Sequence, residues 1–388
     1  MSIRARMTLS VFAVFLVGAI VIAFFMRSSY QDALDSAAQQ TVSRAATIFN
    51  ELLQADTAKL SATLTGISGD DTYRKLYLAK DRDALQAAAA PVFKRLKDEF
   101  QITHWYFETP ETSATVFLRV HKPEQFDDAL KRKTYLKAVE TKGFGTGLEL
   151  GKTAVALRAV HPYYAEDGST LIGYLELGQE IDTFLEQIKG QTGDEVAMLL
   201  KKDKMDEQAW ADYVAQKGLE NSWAELDTYV LAGSTSDEAA EDVADVEGAS
   251  VPDQGVVIGI FDDGDRTEVR GAFPLKDASG EEIGVMFVEH DITEQANALL
   301  VERLTIMAVV ILMMLAVTVV IIILMNTLIF GRLATMMSGM EDISTRLAGG
   351  DFEVHYTPDG TTDEIGRFEA FFGRFIDVVA STFKQFTK

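Results

Sequence analysis

The chain has 388 residues and a formal charge of −23, from 59 acidic and 36 basic side chains. That balance excludes a nucleic-acid binder, which needs a basic face, and argues against broad contact with anionic lipid headgroups. It contains no cysteine, which excludes disulfides, thiolate catalysis and cysteine metal sites, and its length suits two or three domains.

Residues 7–26 (MTLSVFAVFLVGAIVIAFFM) carry no charge and are long enough for a membrane span. Arg4 and Arg6 precede the run and place the tail, residues 1–6, in the cytoplasm. A cleaved signal peptide is the competing reading. The run is long for one and no small-x-small site follows it promptly, so an uncleaved anchor is expected. Residues 27–99 are expected to form a helical stalk and the first helices of a globular body. Between Ser28 and Gly66 there is no proline or glycine. Leu34, Ala37 or Ala38, Thr41, Ala45, Ile48 or Phe49, Leu52 and Leu53 recur at helical spacing. This predicts one helix continuous with the span. Such a helix lies along a globular body, pairs with its copy in a dimer, or does both. Shorter helices are expected over 73–78 and 82–100, the second bent at Pro91.

Residues 100–190 read as a β-rich module. Strands are expected over 104–108 and 115–121, turning at Thr109-Pro110-Glu111, and over 153–164 and 171–179, turning at Glu166-Asp167-Gly168. The intervening residues 122–147 read as loop and helix. A weaker copy follows over 191–295, with strands at 195–201, 256–261, 268–274 and 283–289. Pro274-Leu275-Lys276-Asp277-Ala278-Ser279-Gly280 followed by Ile283-Gly284-Val285 echoes Tyr163-Tyr164-Ala165-Glu166-Asp167-Gly168 followed by Ile172-Gly173-Tyr174. The pattern describes an α+β chain with two PAS-like sheets in tandem. Residues 234–253 hold seven acids and no base, and a solvated, mobile acidic loop is expected there. Calcium binding in this loop or at Asp262-Asp263-Gly264-Asp265 is the alternative; neither has EF-hand spacing, so a solvated loop and a turn are expected.

The first module carries the candidate binding residues. Strand alternation puts Val116, Leu118 and Val120 on one face and Phe117, Arg119 and His121 on the other. On the neighbouring strand His104, Tyr106 and Glu108 alternate with Trp105 and Phe107. Arg158 and Glu176 interrupt apolar strands, and Tyr135, His161 and Tyr163 lie nearby in the chain. Aromatics supply pocket walls and arginine grips carboxylates with two prongs. The expected ligand-binding set is Trp105, Tyr106, Phe117, Arg119, His121, Tyr135, Arg158, Tyr163 and Glu176, with Arg119 and Arg158 leaning towards an anionic group. A structural ion pair with Glu149 or Glu176 is the alternative for either arginine. Three of the five histidines fall here, at spacings that match no metal motif, so neither metal nor haem is expected.

Residues 296–303 read as a connecting helix. Residues 304–325 (LTIMAVVILMMLAVTVVIIILM) are uncharged. As a helix they reach about 33 Å, the thickness of a bilayer core, and the span is expected to run to residue 330. Two spans put 27–303 outside the cytoplasm and 331–388 inside, with Arg27 and Arg303 as mild exceptions. Over 331–380 two amphipathic helices follow. The first has the seam Leu333, Met336 or Met337, Met340, Ile343 and Leu347, and stops at Gly349-Gly350. The second starts after Pro358 and Gly360, capped by Thr361, Thr362 or Asp363. Its seam is Ile365, Phe368, Phe371 or Phe372, Phe375, and Val378 or Val379, with Phe383 and Phe386 beyond in the extension 381–388.

Leu347-Ala348-Gly349-Gly350-Asp351-Phe352, Pro358 and Asp363-Glu364-Ile365-Gly366 resemble a HAMP signalling module, although Gly331-Arg332 stands where such modules commonly open with proline. Trp105-Tyr106-Phe107, the run from Phe117 to Glu124 (FLRVHKPE), Gly147-Leu148-Glu149-Leu150-Gly151 and Ile172–Gly178 (IGYLELG) are similar to the double-Cache sensor domains of bacterial chemoreceptors and sensor kinases, over roughly residues 30–295. The resemblance implies a dimeric, two-pass receptor of the bacterial inner membrane. Its ligand would sit in the membrane-distal module, 100–190, and its HAMP would address a cytoplasmic signalling partner or an output domain elsewhere. No nucleophile elbow, P-loop, metal motif or dinucleotide loop is present, so no enzyme is expected. A membrane-anchored docking subunit of a larger complex is the alternative function.

Overall fold

The computed structural model describes residues 3–111, 114–262 and 264–386. The chain divides into two compact units, Asp32–Asn297 and Met1–Gln31 with Ala298–Lys388. Asp263 and the terminal residues 1, 2, 387 and 388 lie outside the described residues, as do the side chains of Arg4 and Phe386.

Helix α1, Ile3–Ser68, is continuous, as the absence of breakers predicts. Within Asp32–Asn297 its Ala38, Val42, Ala45, Phe49, Leu60 and Leu64 are buried at three- and four-residue steps. Asp70 accepts from Thr72 N and Tyr73 N and starts α2, Asp71–Leu78. Asp81 caps α3, Arg82–Phe100, which carries Pro91 in its interior.

Two antiparallel sheets follow. The first comprises β1 (His104–Glu108), β2 (Ala114–Arg119), β3 (Ala129–Leu130), β4 (Gly145–Leu150), β5 (Val155–Tyr164) and β6 (Leu171–Glu180), with α4 (Lys133–Thr141) between β3 and β4. The second comprises β7 (Glu195–Lys201), β8 (Tyr229–Ser234), β9 (Val256–Asp262), β10 (Thr267–Lys276) and β11 (Glu282–Asp291). Helix α5 (Thr183–Thr192) leads into it, and α6 (Glu207–Lys217) and α7 (Asp237–Asp242) are inserted between its strands. The strand orders are β3-β2-β1-β6-β5-β4 and β8-β7-β11-β10-β9. Without β3 they are one order used twice, which is the repeat that the two Ile-Gly phrases signal. The physical reason for the phrases is close approach. A Cβ on Gly173 would lie 2.4 Å from Glu108 O, and one on Gly284 2.1 Å from Leu199 O.

The expected acidic loop is a correction. Ser236 caps α7, a 3-10 turn follows at Val243–Val246, and Ala239, Val243 and Val246 pack against Ala197, Leu199, Ala272 and Phe287. Asp237, Glu238 and Glu241 stay exposed while Asp242 and Asp245 reach Arg270, and the number of acids hid the helical spacing of this short segment.

In the other unit, α8 (Thr293–Met325) passes through a π-turn at Asn326–Phe330 into α9 (Gly331–Ala348) without a break. Among the described residues, α1 and α8 contain the two stretches long and apolar enough to cross a membrane. Asp363 Oδ1 accepts from Gly366 N (2.9 Å) at the start of α10, Glu364–Phe386. Helices α9 and α10 pack through Ile343, Val354, Ile376 and Ala380, with Leu347, Tyr356 and Phe372 beside them. Of the expected α10 seam, Ile365, Phe372 and Val379 are partly buried, whereas Phe368 and Phe375 are exposed and Ile376 and Ala380 are the buried positions.

Candidate functional site

The two faces of the first sheet differ in kind. One is aromatic and packs on the helices. Trp105 and Phe107 of β1 meet Tyr73, Phe107 stacks on Tyr77, and Tyr163 of β5 also meets Tyr77. The other face is polar and buried. Register places Tyr106 opposite both Arg119 and Glu176, Glu176 opposite Val160, and Arg158 opposite Gly178. Gly178 admits the Arg158 guanidinium, since a Cβ there would lie 3.1 Å from Arg158 Nη1.

Residues between β2 and β4 cover this face. Arg132, at the N-cap of α4, donates to Glu176 Oε1 and to Tyr106 Oη (3.0 Å). Thr134 N donates to Glu149 Oε1 (2.6 Å). Tyr135 packs on Tyr174 with ring centroids 4.7 Å apart, and its hydroxyl donates to Glu111 O (2.6 Å). Arg119 grips Asp128 with two prongs at 2.6 Å each and donates to Gln125 O (2.7 Å). Three guanidiniums thus surround the Tyr106 ring, Arg132 at 4.5 Å, Arg119 at 5.6 Å and Arg158 at 5.7 Å from its centroid.

Besides Asp128, two fully buried carboxylates lie among them. Glu176, 0% exposed, takes Arg158 Nη1 (2.5 Å) and Arg132 on one oxygen; its Oε2 has no hydrogen-bond partner among the described residues. Glu108, also 0% exposed, has neither oxygen partnered among the described residues, and Arg158 Nε lacks an acceptor among them. Burial pushes the Glu108 carboxyl up, against the pull of Arg132, Arg158 and Arg119. Burial, then Arg132, pushes Arg158 down to about 10. Burial would raise Tyr106, but Arg132 and Arg158 outweigh it and lower the phenol. Burial and then Arg158 hold His104 well below the ordinary imidazole range. His121 falls to about 3 through burial, against a backbone hydrogen bond to Trp105. Both rings are therefore neutral at pH 7. They sit 4.8 Å apart edge to face beside Tyr106.

Tyr106, Arg119, His121, Arg158 and Glu176 share this face, and Tyr135 borders it. Trp105, Phe117 and Tyr163 lie on the aromatic face instead. Trp105 and Tyr163 obey simple alternation. Phe117 does not, because a β-bulge shifts the β1–β2 register between Phe107 and Glu108. Val116 then pairs with Glu108 on the polar face, while Phe117 meets Tyr77 edge to face at 5.2 Å. Of the ion pairs that the alternative reading raised, Arg158–Glu176 is present, whereas Arg119 pairs with Asp128, which that reading did not name. Sequence reasoning missed Arg132 and Asp128, which sit in irregular chain where parity has no meaning. It noted Glu108 in the alternation without choosing it.

Two sheets of one strand order on a shared helix, one with a covered ionic face, define a tandem α+β domain. The chain belongs to the dCache_3 family, the double sensory domain of two-component sensor kinases, whose model matches residues 35–295. Among solved structures, the Vibrio cholerae LuxQ periplasmic domain is similar at 12% identity and a TM-score of 0.39, covering 65% of this chain and 98% of that one. The Campylobacter jejuni chemoreceptor Tlp3 ligand-binding domain, solved with L-valine, is similar at 9% identity and a TM-score of 0.40, covering 70% and 98%. The extracellular domain of vpHK1S-Z8 is similar at 13% identity and a TM-score of 0.36, covering 66% and 94%. A comparison with curated proteins found no match in sequence.

Proposed function

We propose that this chain is a two-pass receptor of a bacterial inner membrane that binds a small anionic molecule on the polar face of its first sheet. The observation that carries the binding is the buried cluster around Tyr106. Three guanidiniums meet there against the paired carboxylates of Glu176 and Asp128, with Arg158 Nε unpartnered among the described residues and Glu108 driven by burial towards its neutral form, which leaves arginine donors for an anionic group. Family membership supports a sensory role. The apolar stretches of α1 and α8 cross the membrane, with both termini cytoplasmic and residues 27–303 outside. Ligand contact with Arg132 moves α4, and the movement reaches β11 and the helix that follows it. Residues 331–380 act as a HAMP module in a homodimer, where the exposed Phe368, Phe371 and Phe375 meet a second copy, and pass the state to a cytoplasmic partner. The ligand shifts this equilibrium by binding the two states unequally.

Reporter fusions test the wiring. Alkaline phosphatase inserted at the exposed turn beside Gly168 is expected to be active, and a fusion after residue 388 inactive. Activity at both sites would overturn the two-pass topology.

A further inference from the structure

The second sheet holds a concentration of charge that ligand binding in the first does not use. Glu268 and Arg270 stand two apart on β10, Glu289 of β11 is the cross-strand partner of Arg270, and Asp242 closes α7 above them. Asp242, Glu268 and Glu289 each offer a carboxylate oxygen, and these oxygens lie within 4.8 Å of one another. Arg270 already touches part of the group, reaching Asp242 (2.5 Å), Asp245 (2.8 Å) and Glu268 (3.4 Å). Arg266 takes Glu268 (2.8 Å) and Glu238 (3.1 Å). Arg266 also lies 3.6 Å from Asp291, so two guanidiniums face six carboxylates, and Glu289 is the one without an ion pair among the described residues. It is 3% exposed, and its Oε2 has no hydrogen-bond partner among them.

We propose that Asp242, Glu268 and Glu289 form a divalent-cation site in the second module, suited to Ca2+. Three oxygens held within 4.8 Å of one another match an ion that takes each at about 2.3–2.6 Å. An all-oxygen donor set selects a hard cation over a thiophilic or imidazole-seeking one. Asp242 and Glu268 keep side-chain exposures of 28% and 12%, which leaves a way in and room for water ligands. Unpaired burial of Glu289 is costly, and a metal ion supplies the charge that Arg270 does not deliver to it. Arg270 gives up Asp242 and Glu268 to the ion and keeps Asp245 and the face of Phe261, whose centroid lies 4.3 Å away. The ion would clasp α7, β10 and β11 together. Glu289 is two residues before Asp291, whose side chain accepts from Thr293 N where α8 begins. The donors come from three distant stretches of chain, so no local spacing announces them.

Calorimetric titration of CaCl2 into the full chain tests this, in detergent after chelator treatment and at fixed ionic strength. One ion per chain is expected, with a Kd on the order of 0.1–1 mM, as in extracellular calcium modules. Glu289→Gln should weaken binding at least tenfold. Glu241→Gln, an exposed acid of the same helix outside the trio, should leave it unchanged. Should Glu289→Gln fail to fold, Asp242→Asn at the rim is expected to show the same loss. The absence of saturable binding up to about 10 mM, well above that range, would overturn the site. So would equal affinity in Glu241→Gln and in whichever trio variant folds, since the signal would then be screening of a chain at −23.

Discussion

Lys133, the first residue of α4, pairs with Asp277 in the turn between β10 and β11, and so joins the two sensor modules. Glu281 of the same turn takes Lys133 (2.7 Å) and Lys204 (2.5 Å), and Ala278 N donates to Leu148 O (2.9 Å). Arg132, the neighbour of Lys133, holds the polar face through Glu176 and Tyr106. The segment covering the candidate site is thus fastened to the hairpin whose second strand runs into α8. Lys133→Met is expected to cost about 1 kcal/mol, because the ammonium is partly exposed. Denaturant titration of Lys133→Met, Asp277→Asn and the double variant should give a non-zero coupling energy; strict additivity would mean the pair fastens nothing.

Glycines at the repeated phrase should be intolerant of a methyl group. Gly173→Ala and Gly284→Ala bring a Cβ to 2.4 Å and 2.1 Å from strand carbonyls, and a loss of about 1–3 kcal/mol is expected for each. Gly190, inside α5, has open space around its Cβ position. Gly190→Ala should stabilise by about 0.5–1 kcal/mol. Thermal melts of the three variants check the contrast.

Removing Glu176 should cost more than removing its cluster. Glu176→Gln leaves Arg132 and Arg158 facing each other with one anion gone, and a loss of about 3–5 kcal/mol is expected. Glu176→Gln with Arg158→Met should lose less than the sum of the two single changes. Urea unfolding followed by Trp fluorescence reads both.

The pH dependence of stability has opposing parts. Burial raises Glu108 from 4.5 to about 7 in the folded chain, so the folded state binds more protons there between those values. That contribution is fully present below pH 4.5 and is lost as pH rises through 7. His121 is lowered from 6.5 to about 3, so its contribution is present above 6.5 and lost as pH falls. Glu108→Gln should abolish the first slope. The variant is expected to gain stability over the parent at pH 8 and to lose that advantage by pH 5. An unchanged difference across this range would show that Glu108 stays charged.

Much of the fold is legible in the chain. The strands at 104–108 and 195–201, helix α3 and the helix continuous with the first apolar run all follow from apolar spacing and breakers. β4 and β8 escaped notice because glycine dilutes their apolar alternation, as in Gly145-Thr146-Gly147 and Ala232-Gly233-Ser234. The inserted α7 escaped because its acids outweigh three small apolar residues. In the site, alternation succeeded for Tyr106, Arg119 and His121 and failed at Phe117, where one extra residue in β2 reverses the face. Arg132 and Asp128 were illegible for another reason: they reach the site from irregular chain, where only tertiary packing decides direction.

The central claim is that the polar face around Tyr106 receives an anionic small molecule, and a thermal-shift screen tests it most directly. The full chain, extensively dialysed in detergent, is scanned against panels of organic anions, organic cations and neutral solutes, beside Arg158→Met and Arg132→Met. Stabilisation confined to compounds bearing an anionic group, and lost in both variants while their folded melts persist, is the predicted result. Stabilisation by cations alone, or by an anion equally in the parent and both variants, would contradict it.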